Sequence, residues 1–451
     1  VPKKMRLFSL TPPQILVLGF AAIILCGAVL LTLPIASADG RGTPFVDALF
    51  TSTSATCVTG LVVVDTSLHY SIFGQLVIIT LIQVGGLGFM SMATLIFFLT
   101  GKRISLKERL LLQEALNHGS MEGIVRLFRK VIVYSLTIEG VAALIFAIRW
   151  SFDMPVGQAI YYGIFHAISF FNNAGFDLFG RITGTPFTSL TGYAGDFVVN
   201  FVAMALIVLG GLGFVVLAEV RDYPKCRKLS LHSKVVLSMT AFLIVAGALV
   251  IFIFEYSNPR TMGPLPLHAK ILSALFQSVT PRTAGANTLD IGGMRQATQF
   301  FTIILMFIGA SPGSTGGGIK TTTFTTLVGA MVAMIRGKED IVLFRHRLGQ
   351  NRILKAITMT MIALVLVVFV SMVLSTTEPH QFLMILFETT SAFGTVGLTM
   401  GLTPDLTTFG RIMIVLMMFA GRLGPLTLAY ALQPKPEKDL YRFPEGKITI
   451  G

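Results

Sequence analysis

The sequence predicts an all-α integral membrane protein of four tandem repeats, each a span, a re-entrant half-helix and a second span, around one pseudo-fourfold axis. Three observations predict it. Of 451 residues, 53% are hydrophobic and 13% charged, and the mean hydropathy is +0.77, a balance that does not describe a soluble domain. Eight apolar runs are long enough to cross about 30 Å of hydrocarbon. A short pattern ending on glycine recurs at Gly60, Gly175, Gly285 and Gly397, with spacings of 115, 110 and 112 residues.

The apolar runs cover 14–33, 73–100, 131–148, 197–218, 235–254, 300–335 (interrupted), 353–374 and 412–432, two per repeat. Repeat boundaries follow at 10–125, 126–230, 231–345 and 346–433, with a tail over 434–451. Basic residues set the orientation, since segments on the cytoplasmic side carry the excess of Lys and Arg. Residues 1–9, 101–130, 221–234, 335–355 and 434–451 hold 25 of the 35 Lys and Arg, so these segments and both termini are read as cytoplasmic. The remaining loops hold most of the acids, among them Asp65, Asp177, Asp290 and Asp405, and so make the outer face mildly attractive to cations. The net charge of +13 therefore reflects topology and calls for no nucleic acid. Trp150, Tyr161 and Tyr162 fall where an outer aromatic belt is expected. Cys26, Cys57 and Cys226 form no disulfide framework and no metal-ligand spacing. The first apolar run is too long for a signal h-region and reads as a true span.

Between the two spans of each repeat lies a segment of half-helix length: 45–55, 159–171, 270–280 and 382–393. Phe50, Phe165, Phe276 and Phe387 stand 10, 10, 9 and 10 residues before the glycines, the third repeat being one residue short at Pro281. A half-helix entering from outside aims the negative end of its dipole at mid-membrane, where a cation is stabilised. The chain then returns as extended backbone, tolerated at that depth only inside protein or beside a water-filled cavity. Four rows of carbonyls can replace the hydration shell of a potassium ion, and glycine supplies the positive φ and leaves the lumen free. Any one of these glycines reads most simply as a turn; four at one period, each with a Phe in register, read as a pore.

The most specific stretches are SATCVTGL (54–61), FNNAGF (171–176), VTPRTAG (279–285), GSTGGGIKT (313–321) and SAFGTVGLTMGLTP (391–404). With these the whole chain, from TPPQ (11–14) to DLYRFPEG (439–446), resembles the Trk/Ktr/HKT superfamily of potassium transporters, and within it the membrane subunit of bacterial Ktr systems. The resemblance implies four M1–pore helix–M2 units and a homodimer with one pore per subunit. It implies a selectivity filter over Val58, Thr59, Gly60, Asn173, Ala174, Gly175, Thr283, Ala284, Gly285, Thr395, Val396 and Gly397, with K+ on the backbone carbonyls. Glycine at all four positions matches the potassium-selective kind, since some sodium-favouring plant relatives carry Ser in the first repeat. Ala286 departs from the family, where Phe is more usual.

The second spans carry GGLG (85–88), GGLG (210–213), GASPG (309–313) and GRLG (421–424). In the first two repeats the small residues read as close helix packing ahead of a mobile hinge. In the third, Gly309, Ser311, Gly313, Ser314, Thr315, Gly316, Gly317, Gly318 and Lys320, with Pro312, cannot continue a helix; the broken backbone is placed in the conduction path just below the filter. The stretch approximates a phosphate loop, but Ile319 separates Gly318 from Lys320 and no strand precedes it. The resemblance makes it an intramembrane gating loop. Arg422 stands where the first two repeats have Gly86 and Gly211; it reads equally as a static clamp on loop carbonyls and as an electrostatic barrier, and the two can coexist.

Glu139 reads as a carboxylate hydrogen-bonded between helices ahead of an ion ligand, and His166 and Glu388 as packing groups behind the filter. The basic segments 102–130 and 336–352 suit anionic lipid or a docking partner. The resemblance adds a cytosolic nucleotide-binding ring of the RCK/KTN type, an octamer, so that nucleotide acts through that partner; the chain itself needs no cofactor. The function expected is potassium uptake through the cell membrane, passive or sodium-stimulated. The alternative is a K+/Na+ symporter with alternating access, usually built on two inverted halves. An enzyme is not expected, since no nucleophile with a base and no ligand cluster converges at mid-membrane.

Overall fold

A computed structural model describes residues 11–88, 124–338 and 340–432. The amino-terminal basic segment, most of the basic segment 102–130 and the tail 434–451 lie outside the described residues. The described chain is mostly helical, with one two-stranded hairpin.

Among the described residues four single helices are long and apolar enough to cross a membrane: Pro12–Thr32, Ile124–Trp150, Leu231–Glu255 and Gln350–Thr377. They coincide with the first span of each expected repeat. Their outward faces are apolar and exposed, as at Val365, Phe369 and Met372, which suits lipid rather than water. Each is followed by a shorter helix that ends inside the protein: Phe45–Thr56, Val156–Phe171, Leu267–Val279 and Phe382–Gly394. Pro44, Pro155 and Pro266 stand at three of the N-caps, where a missing N–H removes no helical bond. Phe50, Phe165, Phe276 and Phe387 are all buried, in the register the spacing predicts.

The second spans differ from expectation. Runs 197–218 and 412–432 read as continuous, but the helices Phe197–Leu212 and Thr408–Leu423 stop at Gly213 and Gly424, and the chain turns by 103° and 93°. Ile72–Leu87 stops in the same way at Gly88. All three glycines adopt φ of 83–92° with ψ of 138–140°, a conformation closed to residues with a Cβ. Hydropathy registers apolar length and no dihedral angle, so the break is invisible to it. Sixteen residues at 1.5 Å each span about 24 Å, less than the hydrocarbon thickness. The third run is interrupted as expected, into Gln296–Phe307 and Thr321–Ile335.

The first glycine of the motif packs in the first two repeats, as the small-residue reading expects, and in the fourth as well. A Cβ on Gly85, Gly210 or Gly421 would collide with the carbonyl oxygen of Thr56, Phe171 or Phe393, each at or within a residue of the end of a half-helix. Each short second helix also packs against the half-helix of the next unit, and Thr408–Leu423 returns to Phe45–Thr56. An ion pair of 2.5 Å between Asp47 and Arg411 joins the last unit to the first. Acids hold the starts of three second helices. Asp196 accepts from Val199 N–H and pairs with Arg149, Glu255 accepts from Arg295 N–H, and Glu378 from Thr407 N–H.

Trp150 corrects the aromatic-belt reading. It is fully buried, stacked on Phe146 and edge-on to His166 and Phe179, so it fills the space behind the second half-helix. Position at a helix end suggested the interface; packing decided otherwise. Tyr162 is buried beside it, and Tyr161 donates its hydroxyl to Gln75. The basic segment 336–352 contains a small hairpin, Val342–Leu343 paired with His346–Arg347, turned by Phe344 and Arg345 at positive φ.

Gly210→Ala, forced against the Phe171 carbonyl, is expected to destabilise the protein by about 2 kcal/mol or more, whereas Gly140→Ala, with nothing within 4 Å of the added carbon, is expected to be silent. Thermal unfolding of the two variants in detergent checks this; equal midpoints would remove the packing role of the motif.

Candidate functional site

The four half-helices deliver four non-helical segments to one place. In each, the residue two before the glycine has positive φ: Val58 at 58°, Asn173 at 60°, Thr283 at 77° and Thr395 at 50°. The glycines Gly60, Gly175, Gly285 and Gly397 follow at 93°, 67°, 77° and 91°. Thr59, Ala174, Ala284 and Val396 between them keep negative φ, so handedness alternates and successive peptide groups turn the same way. Three of the left-handed residues are β-branched, which costs backbone strain that only an over-determined surrounding holds.

The four glycines form a closed ring. A Cβ on Gly60 would strike the carbonyl oxygen of Ala174; on Gly175, that of Ala284; on Gly285, that of Val396; and on Gly397, that of Thr59. The sites meet in the order one to two, two to three, three to four and four to one. Glycine is thus required twice over, by its dihedral angle and by the neighbour's carbonyl.

A hydroxyl ties each segment to its own half-helix, a feature the sequence reading missed. Ser54 and Ser391 accept from the N–H of Gly60 and Gly397, while Ser169 and Thr280 donate to the carbonyls of Phe176 and Ala286. Ser54, Ser169 and Ser391 precede their glycines by six positions and Thr280 by five, and that spacing was the available signal. Backbone bonds agree: Thr59, Ala174 and Val396 N–H reach back five residues, to Ser54, Ser169 and Ser391, whereas Ala284 reaches back four, to Thr280. The residue absent from the third unit is taken out of this turn. Ala286, fully buried, accepts the Thr280 hydroxyl through its carbonyl, a bond that needs no side chain at that position.

Two cavities flank the ring. One, about 180 Å3, is lined by all four glycines with Asp65, Asp177 and Thr399. The other, about 220 Å3, is lined by Gly86, Gly313, Gly316, Gly318, Lys320 and Arg422. Between them sits the Gly-rich loop, its neck closed by a bridge between Ile308 and Ile319. Ser311 and Thr315 N–H donate to the carbonyls of Gly211 and Gly210, and Ser314 donates its hydroxyl to Ser311 O. A Cβ on Gly309 would strike the Gly317 carbonyl. Lys320 turns its ammonium back into the loop, onto Gly316 O at 2.7 Å and Gly317 O at 3.3 Å. Arg422 donates to Thr315 O and to Gly85 O, and to Gly86 O at 3.1 Å. The clamp geometry is therefore present, and the same guanidinium lines the cavity.

The remaining polar groups serve packing. Glu139 accepts from Gln83 at 3.1 Å and Asn172 at 3.0 Å, joining two helices as expected. His166 is fully buried: Nδ1 lies 2.7 Å from Tyr162 O and Nε2 accepts from Leu178 N–H, an arrangement that places the ring proton on Nδ1. Glu388 accepts the hydroxyls of Thr399 and Thr403, so it fastens the chain leaving the fourth glycine. Among the described residues no three His, Cys, Asp or Glu side chains gather as a metal site requires; the acceptors at the ring are backbone carbonyls.

Residues 14–439 match the sequence model of a family described as TrkH, cation transport protein. The chain belongs to this family. Membership in the cation transport family makes it a transport protein, and its apolar helices make it a multi-pass membrane protein. Among similar proteins is the Ktr system potassium uptake protein B of Bacillus subtilis, 46% identical over 449 residues, covering 100% of this chain and 99% of the relative. The potassium/sodium uptake protein NtpJ of Enterococcus hirae is 40% identical over 457 residues, with 100% of both chains covered. The crystal structure of the potassium transporter TrkH from Vibrio parahaemolyticus has the same fold, with a TM-score of 0.74 at 20% identity over 96% of this chain and 87% of that one.

Proposed function

We propose that this member of the cation transport family takes up potassium through a channel-like pore formed by four M1–pore helix–M2 units. One observation carries the reading: each motif glycine abuts the carbonyl of the residue before the next unit's glycine, and the fourth returns to the first. A closed ring of inward-turned carbonyls, at the negative ends of four half-helix dipoles, is the chemistry that replaces water around a monovalent cation of fixed size. The cavity bearing Asp65 and Asp177 is the outer mouth, where acids raise the local cation concentration. Orientation follows the basic segments, so both termini and the Gly-rich loop face the cytoplasm.

The loop and Arg422 are the gate. Lys320 and Arg422 place two positive charges on loop carbonyls directly beyond the ring, in the path a cation would take. Moving the loop removes both the backbone obstruction and the barrier. Control belongs to a cytosolic nucleotide-binding ring of the RCK/KTN type, and the working assembly is a homodimer; the names of the Ktr relatives, each part of a system, support a multicomponent complex. Ions run down the electrochemical gradient, and the relative NtpJ, named for potassium and sodium uptake, supports a monovalent cation as cargo. Four units in one ring support this over alternating access, which uses opposed halves.

Gly60→Ser places a side chain against Ala174 O at φ 93° and is expected to lower K+ over Na+ discrimination by about tenfold, ~1.4 kcal/mol, in liposome uptake. Unaltered discrimination would reduce this glycine to a turn residue. Separately, Arg422→Gln, or a chain shortened within 311–318, is expected to raise uptake in the absence of the regulator by about tenfold, from the lost charge-assisted bonds. Wild-type basal uptake in both variants sinks the gate assignment.

A further inference from the structure

The Gly-rich loop touches the ring through particular side chains, all two residues before a motif glycine. Gly317 N–H donates to the Thr395 hydroxyl at 2.9 Å, a fully buried bond. A Cβ on Gly317 would collide with that same threonine, and a Cβ on Gly316 with the Thr283 hydroxyl. The crown of the loop is bare backbone because it lies flat on these two side chains. Thr283 is in turn paired with the Asn173 amide at 3.0 Å. Val58, the fourth member of the set, has no hydroxyl and receives no bond from the loop. The second and third filter segments are therefore bonded to each other, and the loop is bonded to the segment of the fourth unit.

Thr395 is an unusual residue to carry this bond. It caps the half-helix Phe382–Gly394 in the left-handed region, at φ 50°, which a β-branched residue adopts only at a cost. Its own N–H is used, on Ala392 O, so the hydroxyl is the one group that can reach the loop without disturbing the segment. The contact exists only while the loop is docked. A bond between two elements, made in one state and broken in the other, couples them in both directions.

We propose that Thr395 is a positioning residue that latches the loop to the fourth filter segment, so that loop docking and filter conformation form one coupled equilibrium. This rests on the filter and gate reading above. A loop held by its Arg422 clamp alone would leave the filter indifferent to its position; a latched loop does not. The coupling also runs back, because ions that order the fourth segment favour the docked loop.

The test uses the full-length protein in liposomes without regulator, with two readouts. Thr395→Val keeps the shape and removes the acceptor. It is expected to raise basal rubidium uptake about three- to tenfold, the range for one lost buried hydrogen bond, and to lower hydrogen-exchange protection of the Gly317 amide by at least the same factor. Thr395→Ser, which retains the acceptor, is expected to return both readouts toward wild type. Should the valine variant fail to assemble, Gly317→Ala, which pushes the loop off the threonine from the other side, is expected to give the same pair of changes. Unchanged uptake and protection overturn the latch, as does raised uptake with the loop still protected, or a serine variant that behaves as valine does. If Gly60→Ser erodes selectivity while Thr395→Val changes nothing, the latch alone falls; if neither does, the filter reading falls with it.

Discussion

A backbone carbonyl inside a membrane has no water to turn to, and every other feature of this protein is arranged around that fact. Helices satisfy their carbonyls internally, but the four segments after the half-helices do not. Their carbonyls are left pointing at one another's glycines in a closed ring. Such a ring is tolerable empty only if water or a cation can occupy it. The negative ends of four half-helix dipoles bias that choice toward a cation. Scaffold and site are thus not separable: the first glycines of the second-span motifs, Gly85, Gly210 and Gly421, exist to let the supporting helices reach the half-helix ends, and those ends place the carbonyls.

The same rule accounts for the unequal treatment of the third unit. Opening a helix at Ile308 frees a row of carbonyls and amides, and each that can be traced finds a partner: Gly210 O and Gly211 O receive loop amides, while Gly316 O, Gly317 O and Thr315 O receive Lys320 and Arg422. Two cationic side chains thus supply the loop carbonyls with the positive charge that the proposed function gives to an ion at the ring. The cost of holding charges in the membrane is offset because broken backbone is there to meet them.

How much of this was readable from residues alone varies by physical cause. The half-helices, their Phe register and the four glycines were legible because period and positive-φ demand both leave marks in sequence. Glu139, His166 and Glu388 were placed as packing groups by the expense of an unpaired charge in the membrane, and their partners are of that kind. The ends of the second helices were not legible: Gly88, Gly213 and Gly424 were visible, but whether a glycine packs or turns depends on what stands opposite its Cα. Trp150 was misplaced for a related reason, since a helix end lies at the surface only if no other element covers it. The hydroxyl ties went unread because serine and threonine are common in such segments and their meaning lies in a distance to the glycine.

Those ties carry a consequence for how such a chain can vary. The third unit is a residue shorter between its half-helix Phe and its glycine, yet its carbonyl joins the ring in step with the others, because Thr280 stays four residues past the Phe as in every unit and the backbone bond of the turn closes one residue earlier. The hydroxyl keeps its place on the half-helix, and the turn beyond it absorbs the difference. A single-residue deletion is therefore absorbable between anchor and glycine, where the turn can tighten, and destructive ahead of the anchor, where it would rotate the hydroxyl off its face of the helix.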